Sequence, residues 1–358
     1  MAVESIDEWL DHNLPNFQNL TAAVISITRN LLAAEKIDVL STDGRTKTIS
    51  GCKEKIKRKG YTDPSTQLTD VSGIRIIVYF EHDIPRVSDI IERSFNVDKA
   101  NSLNKDSLLS TNQIGYRSIH YVCDIGDDRS VLPEFKNLSG LKFEFQIRTV
   151  LQHAWAELAH DRNYKFSGKL PREIERKLFL YAGMLEIADG GFSELSKEID
   201  AYIRQVSNAT EVGNLDIEVN SLSIQEYIKH WSKINNYELH HIPYIQYDDL
   251  VNELNQFGVS KLSELEAIIP ADFVKISKDS KISTTIHGVV RDWMMISDAK
   301  KFAKNVKVLW AMSENDLDFL AKFISKADLR LLRSSIRIDS QLDRDYDFPD
   351  DGPDDVGA

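Results

Sequence analysis

LKFEFQIRT (141–149) alternates apolar and polar side chains along its whole length. A period of two is the period of a strand, so Phe143, Phe145 and Ile147 share one face while Glu144, Gln146 and Arg148 share the other. GIRIIVYF (73–80) and SIHYVCDI (118–125) are likewise rich in β-branched and aromatic residues and are bounded by turn formers. Between those two segments, residues 84–95 carry helical spacing. Strands and helices interleaved in this way predict an α/β (α+β) fold, a mixed β-sheet flanked by helices. The polar face of 141–149 is that of a solvated sheet or of a site. In a site, the Glu144 carboxylate would be a hard oxygen ligand for a divalent metal, or a proton acceptor.

Upstream, Phe17, Leu20, Val24, Ile27 and Leu31 recur at three- and four-residue intervals, which predicts an amphipathic helix over 14–35 covering one face of the sheet. STDGR (41–45) reads as a turn, and the segment after it as a helix ending at Gly60. Arg45, Lys47, Lys53, Lys55, Lys57, Arg58 and Lys59 fall within fifteen positions. Such a run is either a solvated helix face or a clamp for a polyphosphate, with arginine offering a bidentate fork and lysine a point charge. Asp70, in DVSGIR just before a strand, is placed for a turn, a cap or a ligand. Arg75 alternates onto one face of its strand, where an acid such as Glu144 or Asp70 would pair with it. In QIGYRSIHYV, Tyr116 and His120 lie four apart. They fit a core tyrosine at a hairpin, or a ring stacked on a nucleobase with a histidine donating to phosphate oxygens.

The C-terminal part is different in texture. Residues 150–165 read as helix, and beyond Pro171 an extended helical stretch is predicted to break near Gly190 and Gly191. The polar, aperiodic SNATEVGN (207–214) places a boundary there. These features predict three parts: 1–208 with the sheet, a mainly helical accessory or regulatory domain over 209–338, and an acidic, disordered tail over 339–358. The net charge of −12 disfavours nonspecific nucleic-acid binding, with the basic run and the acidic tail at opposite poles of the chain. Cys52 and Cys123 are the only cysteines and lack metal-ligand spacing, so neither a disulfide framework nor a zinc ribbon is expected. The acidic N-terminus is unlike a signal peptide, and no run of about 18 apolar residues suggests a membrane span, which makes the cytoplasm the expected location.

Taken in order, RTKTISGCKEK, DVSGIR, GYRSIH, FEFQIRT and HAWAELAHDRNYK resemble the motif series of the RelA/SpoT alarmone synthetases. The resemblance covers a motif core over 45–165 and implies a nucleotidyltransferase-like sheet. It also implies an ATP-dependent pyrophosphokinase that moves the β,γ-pyrophosphoryl group of ATP to the 3′-hydroxyl of GDP or GTP, giving (p)ppGpp and AMP. By the same resemblance, Arg45, Lys47, Lys53 and Lys55 hold ATP, and Asp70 and Glu144 bind Mg2+. Glu144 is also the candidate base, Arg75 offsets charge on the phosphoryl oxygens, and Tyr116 stacks the acceptor base. His120, Gln146 and Arg148 line the site between acceptor and phosphates. Trp155, His160, Tyr164 and Lys165 match the family's closing helix.

Two departures bear on the acceptor. Many guanosine-using members carry lysine and asparagine where this chain has Asn112 and Ile114, and toxic relatives instead pyrophosphorylate the 3′ end of tRNA. Some of those fuse an autoinhibitory C-terminal region that senses phage proteins, and the spacing of Tyr244 and Tyr247 in YIQY is the weak feature that would support such a role here. With 44 residues before Arg45, the upstream hydrolase domain of bifunctional relatives is not expected. A homo-oligomer and a protein partner at the C-terminal domain complete the expectations.

Overall fold

The computed structural model describes residues 6–104, 118–163, 171–240, 242, 245–282 and 284–339, apart from the side chains at 104 and 159–163. The chain divides into two compact units, Met1–Lys197 and Glu198–Ala358.

The first unit is built on one sheet. Strands β1 (Val39–Thr46), β2 (Ser72–Val78), β3 (Asn96–Val97), β4 (Leu103–Asn104), β5 (Ile119–Asp124) and β6 (Phe143–Thr149) assemble in the order β1-β2-β6-β5-β3, with β4 also on β5. β2 and β6 run parallel, and the remaining pairs are antiparallel. The mixed sheet is thus the expected one, and the alternation in β6 is the reason for its two unlike faces. Phe143, Phe145 and Ile147 are fully buried and join Ile74 and Ile76 of β2 in one core. Two helices supply the other half of that core. α1 (Ile6–Ala34) contributes Leu10, Phe17, Leu20 and Val24, and α4 (Asp83–Ser94) contributes Ile84, Val87, Ile90 and Ile91. Phe95 closes the α4 end edge-on to Phe143 and Phe145, with ring centroids 5.5 and 5.2 Å apart.

α1 begins earlier than its apolar spacing predicts, and beyond Val24 its fully buried stripe passes through Thr28 and Leu32 while Ile27 and Leu31 pack half-buried beside it. It is pinned by hydroxyls as well as by apolar contact. Thr21 Oγ1 lies 2.8 Å from Thr46 Oγ1 and donates to Ser72 Oγ at 2.9 Å, and Ser72 Oγ donates to the Phe17 carbonyl at 2.9 Å. The start of β2 and the end of β1 are therefore fixed to α1 by satisfied, buried polar groups.

The reading of 41–45 as a turn is corrected. The segment is the middle of β1 and pairs with β2 from Thr42–Ile76 to Thr46–Ser72. Asp-Gly suggests a turn, but here glycine serves close approach: a Cβ on Gly44 would lie 2.9 Å from both Ile25 Cδ1 and Thr21 Cγ2 of α1. The helix predicted to end at Gly60 is α2 (Ile49–Lys59), N-capped by Thr48 and closed by Gly60 in the left-handed region, φ 63°.

α6 (Val150–Asn163) leads directly out of β6, and α7 (Arg172–Glu211) is one continuous helix of 40 residues. The break predicted near Gly190 and Gly191 is absent, because helix needs no side chain at either position and the flanking turns carry the hydrogen bonds. α7 also takes in 207–211 of the polar segment, and the division between the two compact units, Lys197/Glu198, lies within this helix. Ser193 Oγ, near the middle of α7, sits 2.9 Å from His82 Nδ1, and Thr149 Oγ1 donates to Asp189 Oδ2 at 2.6 Å.

The second unit is mainly helical, as its short patterns predict. Helices α8 (Ser221–Ile234) to α15 (Lys326–Ser335) enclose Trp231, Phe273 and Trp293, and among the described residues its strands are the small pair β7 (Ala311–Met312) and β8 (Arg337–Ile338). Inside it, Arg291 makes two 2.8 Å bonds to Glu253, which also accepts from Trp310 Nε1 at 2.9 Å. Among the described residues, no helix is long and apolar enough to cross a membrane. The acidic tail beyond Asp339 lies outside the described residues.

Gly44→Ala crowds Thr21 and Ile25 of α1, so these side chains or their helix must shift, and is expected to cost about 1–3 kcal/mol, the usual penalty for overpacking. Calorimetry on the full chain should show the transition of the sheet-bearing unit moved down and that of the helical unit unchanged.

Candidate active site

The polar face of the sheet becomes a cleft because register brings its polar residues into rows. Arg45 of β1 lies opposite Gly73 of β2, which lies opposite Glu144 of β6. One step along, Asp43, Arg75, Gln146 and His120 form the next row across β1, β2, β6 and β5. Gly73 between Arg45 and Glu144 keeps the floor open, since a Cβ there would come no nearer than 4.0 Å to the Arg45 carbonyl. The resulting cleft of about 270 Å³ is lined by Asp43, Gly44, Arg45, Lys47, Asp70, Gly73, Ile74, Arg75, Glu144, Gln146 and Glu157.

Two lysines converge on Asp70 at one end. Lys47, just past β1, places Nζ 2.8 Å from both Asp70 Oδ2 and the Asp70 carbonyl, and Lys55 of α2 places Nζ 2.6 Å from the same Oδ2. Burial pushes the Asp70 pKa up, but hydrogen bonds and charge from the two lysines outweigh it and hold the carboxyl below its usual range. Oδ1 is buried and has no hydrogen-bond partner among the described residues, so one acceptor of an ionised carboxylate stands ready for a ligand.

Glu144 is held by a different set. His120 Nδ1 lies 2.8 Å from Oε1, Gln146 Nε2 donates to Oε2 at 3.0 Å, and Arg148 Nη2 donates in turn to Gln146 Oε1 at 3.2 Å. Ser118 Oγ is 2.7 Å from His120 Nε2. An ionised carboxylate accepts only, so Nδ1 carries the proton towards Glu144, and the Ser118 hydroxyl, which can donate or accept, pairs with Nε2. Burial raises the Glu144 pKa and the nearby Asp70 charge raises it further. The hydrogen bond and charge of His120, with the Gln146 bond, more than offset both and lower it.

The acid paired with Arg75 is neither Glu144 nor Asp70, as the sequence suggested, but Glu157 of α6, at 3.1 Å. Glu144 and Asp70 are already taken by His120 and the lysines. His153, one turn before Glu157, lies 3.7 Å from it, and burial followed by the Arg75 charge lowers the His153 pKa. Glu157, His153, Asp43 and Ser118 are the members of this neighbourhood that sequence reasoning did not single out. For Glu157 and His153, the signal was the four-residue spacing inside HAWAEL, at the foot of the helix leaving β6.

Lys53 stands apart from the other basic candidates. It pairs with Asp7 at 2.9 Å on the exposed side of α2. Lys53 and Lys55 are two residues apart on a helix, hence about 200° apart around its axis, and only one of them can face Asp70. Arg45 has no carboxylate partner among the described residues. Tyr116, Asn112, Ile114, Tyr164, Lys165, Tyr244 and the side chain of His160 lie outside the described residues, and Trp155 is on α6.

The donor set fits a divalent metal. Asp70 and Glu144 are neighbouring ionised carboxylates, one with an unpartnered buried oxygen, and carboxylate oxygen is the ligand that magnesium favours. Beside them, Lys47, Lys55, Arg45 and Arg75 supply the cations that a polyphosphate requires.

A family model described as "Region found in RelA / SpoT proteins" matches residues 44–169, from the middle of β1 to beyond α6. The chain belongs to the RelA/SpoT family, as a synthetase of that family. Among its relatives, the GTP pyrophosphokinase YjbM of Bacillus subtilis (strain 168) is 30% identical over 162 residues, covering 44% of this chain and 71% of that protein. The GTP pyrophosphokinase YwaC of the same organism is 26% identical over 182 residues, covering 50% and 83%. A crystal structure of small alarmone synthetase 1 from Bacillus subtilis bound to its product pppGpp superposes with a TM-score of 0.45 and 24% identity, over 53% of this chain and 97% of that one.

With its pKa depressed in the folded state, the Glu144 carboxylate is stabilising above the ordinary carboxylate range, and its contribution is lost as pH falls through the folded value. Carbon NMR of the glutamate carboxyls should give a midpoint below 4.5 for Glu144. In His120→Ala, with burial no longer offset, the midpoint should move upward.

Proposed function

We propose that the first unit is an ATP-dependent pyrophosphokinase that transfers the β,γ-pyrophosphoryl group of ATP to the 3′-hydroxyl of GDP or GTP, making (p)ppGpp and releasing AMP. The observation that carries the reading is the convergence of Lys47 and Lys55 on Asp70 beside Glu144, on one open face of the sheet. The names of the curated relatives support the same acceptor.

In this reading the 3′-oxygen attacks the β-phosphorus, the bond from that phosphorus to the α,β-bridging oxygen breaks so that this oxygen leaves with AMP, and the 3′-hydroxyl proton passes by way of the Glu144 hydrogen bond to solvent. Lys47 and Lys55 meet the triphosphate, Arg75 offsets charge on the transferred group, and Arg45 packs on the adenine. Asp70 and Glu144 would hold Mg2+, which draws charge from the phosphoryl oxygens. Glu144 is kept ionised by His120 and Gln146, which suits a metal ligand and an acceptor of the 3′-hydroxyl hydrogen bond. A strong base would need a raised pKa, and the surroundings of Glu144 lower it. His120, Gln146 and Arg148 form the acceptor side of the cleft, and Tyr116 is assigned to the acceptor base by family resemblance. Lys53, turned to Asp7, is left out of the ATP contacts.

Incubation with Mg2+, ATP and each of GDP, GTP, GMP and tRNA, followed by separation of nucleotides, tests the reading. AMP and a guanosine 3′-diphosphate are expected with GDP or GTP, and Glu144→Gln should lower the rate at least about a hundredfold. AMP appearing only with tRNA would replace the acceptor, and no AMP with any acceptor would count against the reading as a whole.

A further inference from the structure

Among the described residues, three cations beside Asp70 and Glu157 already pair with a carboxylate of the same cleft, whereas Arg45 does not. Lys47 and Lys55 both bind Asp70 Oδ2, and Arg75 binds Glu157. The Asp70 side chain is 14% exposed and that of Lys55 15%, so the pair is shielded from the solvent screening that weakens surface ion pairs. Oδ1 has no partner among the described residues. Resting on the reading of Asp70 as a metal ligand, we propose that Lys47 and Lys55 act as resting counter-ions of Asp70. They hold divalent metal off the nucleotide-free protein and release Asp70 when a triphosphate draws them away.

Electrostatics makes the exchange reciprocal. Two ammonium groups within 3 Å of one carboxylate oxygen repel an incoming divalent cation and neutralise the charge that would attract it. A triphosphate gives the same ammonium groups a stronger anionic partner, and the vacated carboxylate then faces the metal. Metal and donor nucleotide thereby raise each other's affinity through a swap of partners within this chain. Lys53 supplies an internal control, because it adds the same charge to the same helix yet faces Asp7.

Binding of Mn2+, used as a spectroscopic stand-in for magnesium, is measured by electron paramagnetic resonance on the full chain without nucleotide. Lys55→Gln should bind Mn2+ about tenfold more tightly than the parent protein, and Lys47→Gln should shift the same way. Lys53→Gln should leave the affinity within about twofold, because an exposed charge is screened. With a non-hydrolysable ATP analogue present, the parent protein should bind Mn2+ tightly and Lys55→Gln should show a smaller gain. Unchanged or weaker Mn2+ binding in both Lys55→Gln and Lys47→Gln overturns the proposal, as does an equal gain in Lys53→Gln. Asp70→Asn separates this idea from its premise. If, with the ATP analogue present, it retains the Mn2+ affinity of the parent, Asp70 is not a ligand and the premise fails. If it loses that affinity while the lysine variants gain nothing, only the counter-ion role fails. A gain in Lys47→Gln alone sustains the proposal even where Lys55→Gln fails to fold.

Discussion

Asp70 is the point at which three separate segments are tied by charge. Lys47 arrives from the end of β1, Lys55 from α2, and Asp70 itself from the loop that opens β2. A carboxylate this deeply placed would cost several kcal/mol if left bare, and the two ammonium groups offset that cost only if β1, α2 and β2 keep their relative positions. The constraint runs in both directions. Pinning α1 through Thr21, Thr46 and Ser72 fixes the ends of β1 and β2, and those ends deliver Lys47 and Asp70 to each other.

The remainder of the cleft follows from sheet register. A parallel β2–β6 pair flanked by antiparallel neighbours lines up Arg45, Gly73 and Glu144, and then Asp43, Arg75, Gln146 and His120. A slip of one residue in β6 would turn Glu144 into the core and Phe145 into the cleft. The apolar face prevents it, because Phe143, Phe145 and Ile147 fill the space under α1 and α4. The aromatic packing behind the sheet thus holds the carboxylate in front of it, and His120 with Gln146 then sets its protonation.

Much of this was legible in the sequence where one physical signal dominated. The alternation in 141–149 marked both the strand and its two faces, and Gly60 marked the end of α2. The motif series led to Asp70, Arg75 and Glu144. The sequence misled where one residue type serves two purposes. Asp43-Gly44 looks like a turn, yet Gly44 is small because α1 crosses over it. Gly190 and Gly191 look like a break, yet the helix runs through them. Lys53 and Lys55 look equivalent in a basic run, but helix geometry sends them to opposite sides. Glu157 escaped notice because its partner, Arg75, is far away in sequence and adjacent only through the β6–α6 junction.

The proposed reaction moves a pyrophosphoryl group as one unit. Phosphorus NMR of a reaction containing Mg2+, ATP and GDP distinguishes that transfer from its alternatives. AMP should appear together with a new pair of coupled resonances from a diphosphate on the 3′-oxygen, growing at equal rates and absent with Glu144→Gln. ADP with orthophosphate, or a single 3′-phosphate, would contradict it.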